Sequence, residues 1–233
     1  MRYKHVFAIC AYKDSPYLEQ CIRSLKAQTV PSPIIICTST PSSYIDRLAW
    51  KYGLQVCVRQ GESGIKDDWN FAYSMAEGEM VTIAHQDDMY HRDYSARLFA
   101  AHKRYPDMTV FTTDYVIVKQ GALITGDAML WIKRILRTPL RFPQMNDRAW
   151  VKKLAFVLGN PICCPATTYH KAVLGEPFVR SEYSFALDWD NLVRLAEEPG
   201  RFICDERPLL YYRVHEDATT KAFIRDNRRF EEE

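Results

Sequence analysis

The seven cysteines include no CxxC pair, and Cys163 and Cys164 are adjacent, a spacing unsuited to bridging each other. Neither a zinc site nor a disulfide framework is therefore indicated. Cys10, Cys37 and Cys57 instead sit inside apolar stretches that read as buried strands. No apolar run approaches the roughly 20 residues needed to cross a bilayer, and Met1-Arg2-Tyr3-Lys4-His5 runs into a strand pattern without a signal-peptide stretch. A reducing cytoplasm is the expected location, with peripheral contact at the inner membrane face as an extension. A net charge of +2 is too small to call for a nucleic-acid partner. There is no internal repeat or low-complexity segment, and the only charge run is the terminal Glu231-Glu232-Glu233, a solvated tail.

What remains is an ordinary globular composition, 47% hydrophobic and 26% charged over 233 residues, enough for a full core. The first hundred residues alternate strand and helix signals. Val6 to Cys10 is a short apolar run, and Ser15 with Pro16 reads as a helix cap before Leu18, Cys21, Ile22 and Leu25 at helical spacing. Strands are predicted again at Ile34 to Cys37, Leu54 to Val58 and Met80 to Ala84, with helical stripes between them. Strands buried on both faces and separated by helices predict a mostly parallel α/β sheet, whose ligands bind beyond the carboxyl ends of the strands. The second half differs in texture. Thr109 to Val118 is β-rich, Met129 to Arg141 mixes apolar and basic residues, and Trp150 to Leu158 and Leu187 to Ala196 are helical. Short strands are predicted at Arg201 to Cys204 and Leu209 to Val214. The expectation is one domain over 1–233, with halves meeting near residue 110.

The sharpest local feature is Ala84-His85-Gln86-Asp87-Asp88-Met89-Tyr90, two carboxylates directly after a buried strand. Crowded anionic groups at a strand end call for a cation or donors, and oxygen ligands suit Mg²⁺ or Mn²⁺. The alternative is that Asp87 or Asp88 caps the next helix, near Asp93. The stretch Asn70-x5-Ala76-x-Gly78-Glu79-x-Val81-x-Ile83-x-x-x-Asp87-Asp88 resembles the central signature of family 2 glycosyltransferases. That resemblance implies the GT-A fold: a Rossmann-like, mostly parallel central sheet flanked by helices, with a smaller acceptor-side β/α portion. It also implies a nucleotide-diphosphate sugar donor, UDP-sugar favoured, and Mn²⁺ or Mg²⁺ held by Asp87 and Asp88. The acceptor would be a saccharide or lipid-linked saccharide, as in cell-surface polysaccharide or glycan synthesis, and oligomeric state stays open.

The same resemblance distributes roles along the chain. Ala11, Tyr12 and Asp14 fall on the loop that packs against the nucleotide, Thr38 and Ser39 stand where the family places an acid for the base, and Asp68, Asn70 and Gln86 are further nucleotide-side candidates. Asp67 and Asp68 also suit the first turn of a helix by charge alone. Phe185-Ala186-Leu187-Asp188-Trp189-Asp190-Asn191-Leu192 resembles the start of the acceptor-side helix, which makes Asp188 the base of an inverting displacement; Asp190 would pair with Arg194, four residues on. Tyr212-Arg213-Val214-His215-Glu216-Asp217-Ala218-Thr219-Thr220 resembles the closing segment, with Arg213 toward the leaving diphosphate and His215 a metal ligand or diphosphate donor; otherwise His215 is structural. Gly159-Asn160-Pro161-Ile162-Cys163-Cys164 would line the acceptor side. Trp131-Ile132-Lys133-Arg134-Ile135-Leu136-Arg137 would dock on anionic lipid, shape an acceptor cleft, or form a solvated helix with one buried stripe.

Two departures from the family pattern stand out, His85 in place of the first Asp of Asp-x-Asp and Thr38-Ser39 in place of the acidic pair. They motivate the rival reading of a catalytically silent nucleotide-sugar-binding domain. A sugar nucleotidyltransferase would need a Gly-rich loop after the first strand, and Cys10-Ala11-Tyr12-Lys13-Asp14 has no glycine.

Overall fold

The structure, a computed structural model, describes residues 3–184 and 186–215. The first half runs β1 (Tyr3–Ala11), α1 (Leu18–Lys26), β2 (Ile34–Thr38), α2 (Ser43–Tyr52), β3 (Gln55–Val58), α3 (Ile65–Met75), β4 (Gly78–His85), β5 (Met89–Tyr90) and α4 (Tyr94–Arg104). The second half comprises β6 (Met108–Lys119), β7 (Ala122–Ile124), α5 (Ala128–Leu136), α6 (Ala149–Leu154), β8 (Thr167–His170), α7 (Lys171–Leu174), α8 (Leu187–Leu195) and β9 (Arg201–Val214). These strands form one sheet in the order β3-β2-β1-β4-β8-β6-β9-β5, with β7 on β6. The first four are parallel; β8 then runs antiparallel between β4 and β6, and β9 lies parallel to β6. The sheet thus passes without a break from one half of the chain to the other.

The apolar runs explain the parallel part. Val6, Phe7, Ala8 and Ile9 of β1 and Met80 through Ala84 of β4 are almost fully buried, because helices cover both faces. One core layer joins Phe7, Ile9, Leu18, Ile22, Ile45 and Tyr94; the other joins Val6, Ala8, Tyr73, Ile83, Tyr169 and Leu192. Gly78 opens β4 where there is no room for a side chain, since an added Cβ would stand 2.6 Å from the Met80 carbonyl oxygen.

Three predicted elements differ from the structure. Ser15 does not cap α1: the helix starts at Leu18, and the Ser15 hydroxyl donates instead to Asp87 Oδ1 at 2.6 Å. Trp150 to Leu158 is helical only as far as Leu154. The two short strands expected between 201 and 214 are one 14-residue strand, β9, whose pairing with β6 shifts register around Thr113 to Tyr115. A bulge of that kind hides continuity from sequence pattern, because alternation slips to the other face.

α5 is turned opposite to the usual amphipathic sense. Arg137 is 3% exposed and, with Arg134, pairs with the buried Asp114 at the register shift. Met129, Trp131, Ile132 and Ile135 face outward instead. The ion pairs hold the basic side inward, since leaving Asp114 unpaired in the core would cost several kcal/mol.

Candidate active site

The parallel strands β3, β2, β1 and β4 all end on the same side, at Val58, Thr38, Ala11 and His85. The loops that follow them carry most of the predicted residues. Gln86 fastens two of these loops together: its Oε1 accepts from Tyr12 N at 3.0 Å and its Nε2 donates to the Tyr12 carbonyl at 2.9 Å. Lys13 follows in a left-handed conformation, φ 53°, and its amide donates to Thr40 Oγ1 at 2.7 Å. Tyr12 is exposed with its backbone fixed, and Asp14 accepts from Ser42, which caps α2.

The two aspartates have separated environments. Asp88 is 2% exposed and accepts from the Arg213 amide at 2.8 Å; burial pushes its carboxyl up to about 8, against the lowering effect of that hydrogen bond. Asp87 is more open and faces His215, with Oδ2 3.3 Å from Nε2. Arg213 completes a bracket: its Nε donates to the Asp87 carbonyl at 2.9 Å, its far nitrogen donates to Gln20 Oε1 at 2.7 Å, and its guanidinium lies 4.3 Å from the centre of the Tyr17 ring. The end of β9 is thereby tied to the β4–β5 turn, and the same tie delivers His215, two residues on, opposite Asp87. Neither aspartate caps a helix; α4 begins at Tyr94.

The expected nucleotide-side residues split into two groups. Asp68, in the first turn of α3, accepts from Ser39 Oγ at 3.0 Å and from Arg59 Nε at 2.8 Å. Arg59 directly follows β3, and its amide donates to the Thr38 carbonyl at 2.9 Å. A carboxylate with its own cation thus stands beside the loop where the family's acid is missing. Thr38 is buried, its hydroxyl accepting from Thr40 N. Asn70 points elsewhere: its amide donates to the Val179 carbonyl at 2.9 Å and accepts from Val179 N at 2.7 Å, binding α3 to the segment before α8. His85 packs its ring against Trp69, and burial lowers its imidazole to about 4, a neutral group at the strand end.

Asp188 sits in the first turn of α8, half-buried. Asn160 Nδ2 donates to its Oδ2 at 2.9 Å and Trp189 N donates to its Oδ1 at 2.8 Å. Burial raises its carboxyl to about 6, while these hydrogen bonds and the Lys133 ammonium of α5 pull the other way. The thiol of buried Cys163, at the loop between, is raised by burial and further by both Asp88 and Asp188, which places it between the two carboxylates. The expected Asp190–Arg194 pair does not form: Arg194 donates to the Phe178 carbonyl and to Asn191 Oδ1. Phe185 and Glu216 to Thr220 of the matched segments lie outside the described residues.

Sequence reading missed Arg59, Ser15 and Lys133 as site residues. Arg59 was legible as a cation immediately after a parallel strand; Lys133 was not, because nothing in the sequence says that α5 turns its basic side inward.

The donor set passes a simple test for a divalent cation. Cis ligands on an ion bound at about 2.1 Å stand roughly 3 Å apart, close to the 3.3 Å between Asp87 and His215. The remaining positions would fall to substrate oxygens, and the imidazole suits Mn²⁺ better than the harder Mg²⁺.

Comparison with known proteins agrees with this arrangement. No curated protein matches the sequence. Among solved structures, S. aureus TarS 1-349 in complex with UDP-GlcNAc has a TM-score of 0.67 at 18% identity, covering 92% of this chain and 60% of that one. The mannosyltransferase PcManGT from Pyrobaculum calidifontis, in complex with GDP-Man and Mn²⁺, has a TM-score of 0.67 at 14% identity, covering 97% and 61%. Glucosyl-3-phosphoglycerate synthase from Mycobacterium tuberculosis, in complex with Mn²⁺, UDP and glucosyl-3-phosphoglycerate, has a TM-score of 0.63 at 11% identity, covering 92% and 74%. The likeness is one of fold, GT-A, and the chain spans about 60% of the length of the TarS and PcManGT chains. The model of the family described as glycosyl transferase family 2 matches residues 6–159, most of the chain, and the chain belongs to that family.

Proposed function

We propose that this chain transfers a sugar from a nucleoside diphosphate to an acceptor hydroxyl in one inverting displacement, its two halves acting as a single glycosyltransferase domain. The observation that carries the reading is the Asp87–His215 pair, bracketed by Arg213 at the carboxyl ends of the parallel strands. Asp87 and His215 hold Mn²⁺ or Mg²⁺; when bound, the cation neutralises charge gathering on the leaving diphosphate. Asp88 positions both ligands through Arg213, since its buried carboxyl faces that backbone amide. Ala11, Tyr12, Asp14, Thr38 and Ser39 line the nucleotide, with Asp68 and Arg59 on its base side and UDP the favoured carrier. Asn70 and Gln86 act by holding backbone. Asp188 removes the acceptor proton, oriented by Asn160 and Trp189 N.

The acceptor we favour is a lipid-linked saccharide. Trp131, Ile132 and Ile135 of α5, with Trp150, Leu154 and Leu158 of the α6 segment, are exposed, and Arg141 and Arg148 are exposed between those two groups in the chain. Among the described residues no helix is long and apolar enough to cross a membrane, so contact would be peripheral.

The test is Asp188→Asn assayed against UDP-, GDP-, dTDP- and CDP-sugars with Mn²⁺. We expect nucleotide binding within a few-fold of wild type and a loss of transfer of about 10²-fold or more, the usual worth of a general base. Near-normal turnover would remove Asp188 from the role. A wild-type chain that binds nucleotide in a metal-dependent way but turns over no donor would favour the silent domain.

A further inference from the structure

At the other end of β4 lies a second cluster with ligand chemistry. Glu79 is the second residue of β4, and the antiparallel register Met80↔His170 sets His170, the last residue of β8, beside it. His102 continues the buried stripe of Tyr94 and Leu98 on α4 by one more turn. Their ligand atoms lie within 4.8 Å of one another: His170 Nε2 is 3.2 Å and His102 Nε2 3.8 Å from the same oxygen, Glu79 Oε1.

We propose that Glu79, His102 and His170 form a binding site for a borderline divalent d-block cation, Zn²⁺ in the first instance, with water in the fourth position. Two imidazoles and a carboxylate are a ligand set that Zn²⁺ accepts, and tetrahedral ligands at about 2.0–2.2 Å stand roughly 3.3–3.6 Å apart. The two measured contacts bracket that spacing, and a small rotation of the imidazoles closes the third. Neither Nδ1 has a hydrogen-bond partner, so no protein group forces the proton onto Nε2 and away from the ligating tautomer. Burial and the neighbouring His170 lower the His102 imidazole, which favours the neutral form that binds metal, while Glu79 opposes this. The exposed Lys4 ammonium is the repulsive term at the site and acts on His102 in the same direction as burial. Glu79 and His102 are only partly buried, which leaves a path for the ion and room for the water.

This cation would clamp α4 to the β4–β8 pair. It is separate from the Asp87–His215 site, because the six steps from Glu79 to His85 at about 3.3 Å each amount to roughly 20 Å. The absence of CxxC in the sequence speaks only to cysteine-based zinc sites. Three ligands drawn from positions 79, 102 and 170 leave no local motif.

The experiment is a titration of the chelator-treated full chain with Co²⁺, followed by visible absorption and then by displacement with Zn²⁺. We expect one equivalent to give the intense d–d bands of four-coordinate Co²⁺, abolished by Zn²⁺. The bands should be lost in His102→Gln and His170→Gln, weakened in Glu79→Gln, and retained in Asp87→Asn, with circular dichroism confirming that each variant is folded. His102→Gln, on a partly exposed helix position, keeps the test decisive if His170→Gln fails to fold. A wild-type chain with no saturable bands, or bands that persist in His102→Gln or disappear in Asp87→Asn, would overturn the assignment.

Discussion

Asp188 carries the most exposed consequence at the scale of single residues. With its carboxyl raised by burial to about 6, the base is protonated below that pH and active above it, so at saturating donor the turnover should climb through an apparent pKa near 6. Lys133 works against burial by stabilising the carboxylate. Lys133→Gln should therefore move the acidic limb to higher pH, and a pH–rate profile that stays in place would show that Lys133 does not act on the base. Asp87 is tested by binding: Asp87→Asn should abolish the Mn²⁺-dependent part of the thermal shift given by UDP while keeping part of the metal-independent shift. The carboxylate pair, the base and His215 were legible in the sequence because each falls in a spaced motif that a strand end or helix start presents. Their division of labour was not. That Asp88 is buried against the Arg213 amide while Asp87 stays open depends on how the end of β9 returns to the sheet, a contact across 125 residues.

Among the secondary-structure elements, the parallel half was readable and the second half only in pieces, for a physical reason. Strands covered on both faces are unbroken apolar runs, whereas β9 pairs with β6 through shifted register and reads as two fragments. The start of β4 gives a sharp test of the readable part. Gly78→Ala would drive a Cβ to 2.6 Å from the Met80 carbonyl oxygen and 3.1 Å from Val6 N, both backbone atoms that cannot step aside. A loss of about 1–3 kcal/mol, the usual range for overpacking, is expected in chemical denaturation, and an unchanged midpoint would mean that β1 and β4 do not meet as closely as described. The inverted α5 follows from the same logic. Its orientation is set by Asp114 at the register shift of β6, and that bulge could not be located from the sequence.

For the molecule as a whole, the outward apolar side of α5 and the α6 segment is the feature that the core and the donor site leave unused. Monomeric soluble proteins rarely expose contiguous apolar patches of more than a few hundred Å², and each large side chain withdrawn from water contributes about 1.5–3 kcal/mol. Trp131 and Trp150 are the side chains best suited to a membrane interface, amphipathic rings that sit at headgroup level. The Arg141 and Arg148 guanidiniums can meet anionic headgroups while the apolar side chains enter the acyl boundary. The chain should therefore sediment with vesicles containing anionic phospholipid and release at higher ionic strength only in part, because the apolar contribution is not screened. Trp131→Ser combined with Ile135→Ser and Leu158→Ser should weaken vesicle binding at least tenfold while leaving Mn²⁺-dependent UDP binding intact, since none of the three residues contacts the donor loops. If the wild-type chain ignores vesicles and self-associates instead, with the triple variant restoring the monomer in sedimentation velocity, the face is a protein interface and the lipid-linked acceptor loses its main support.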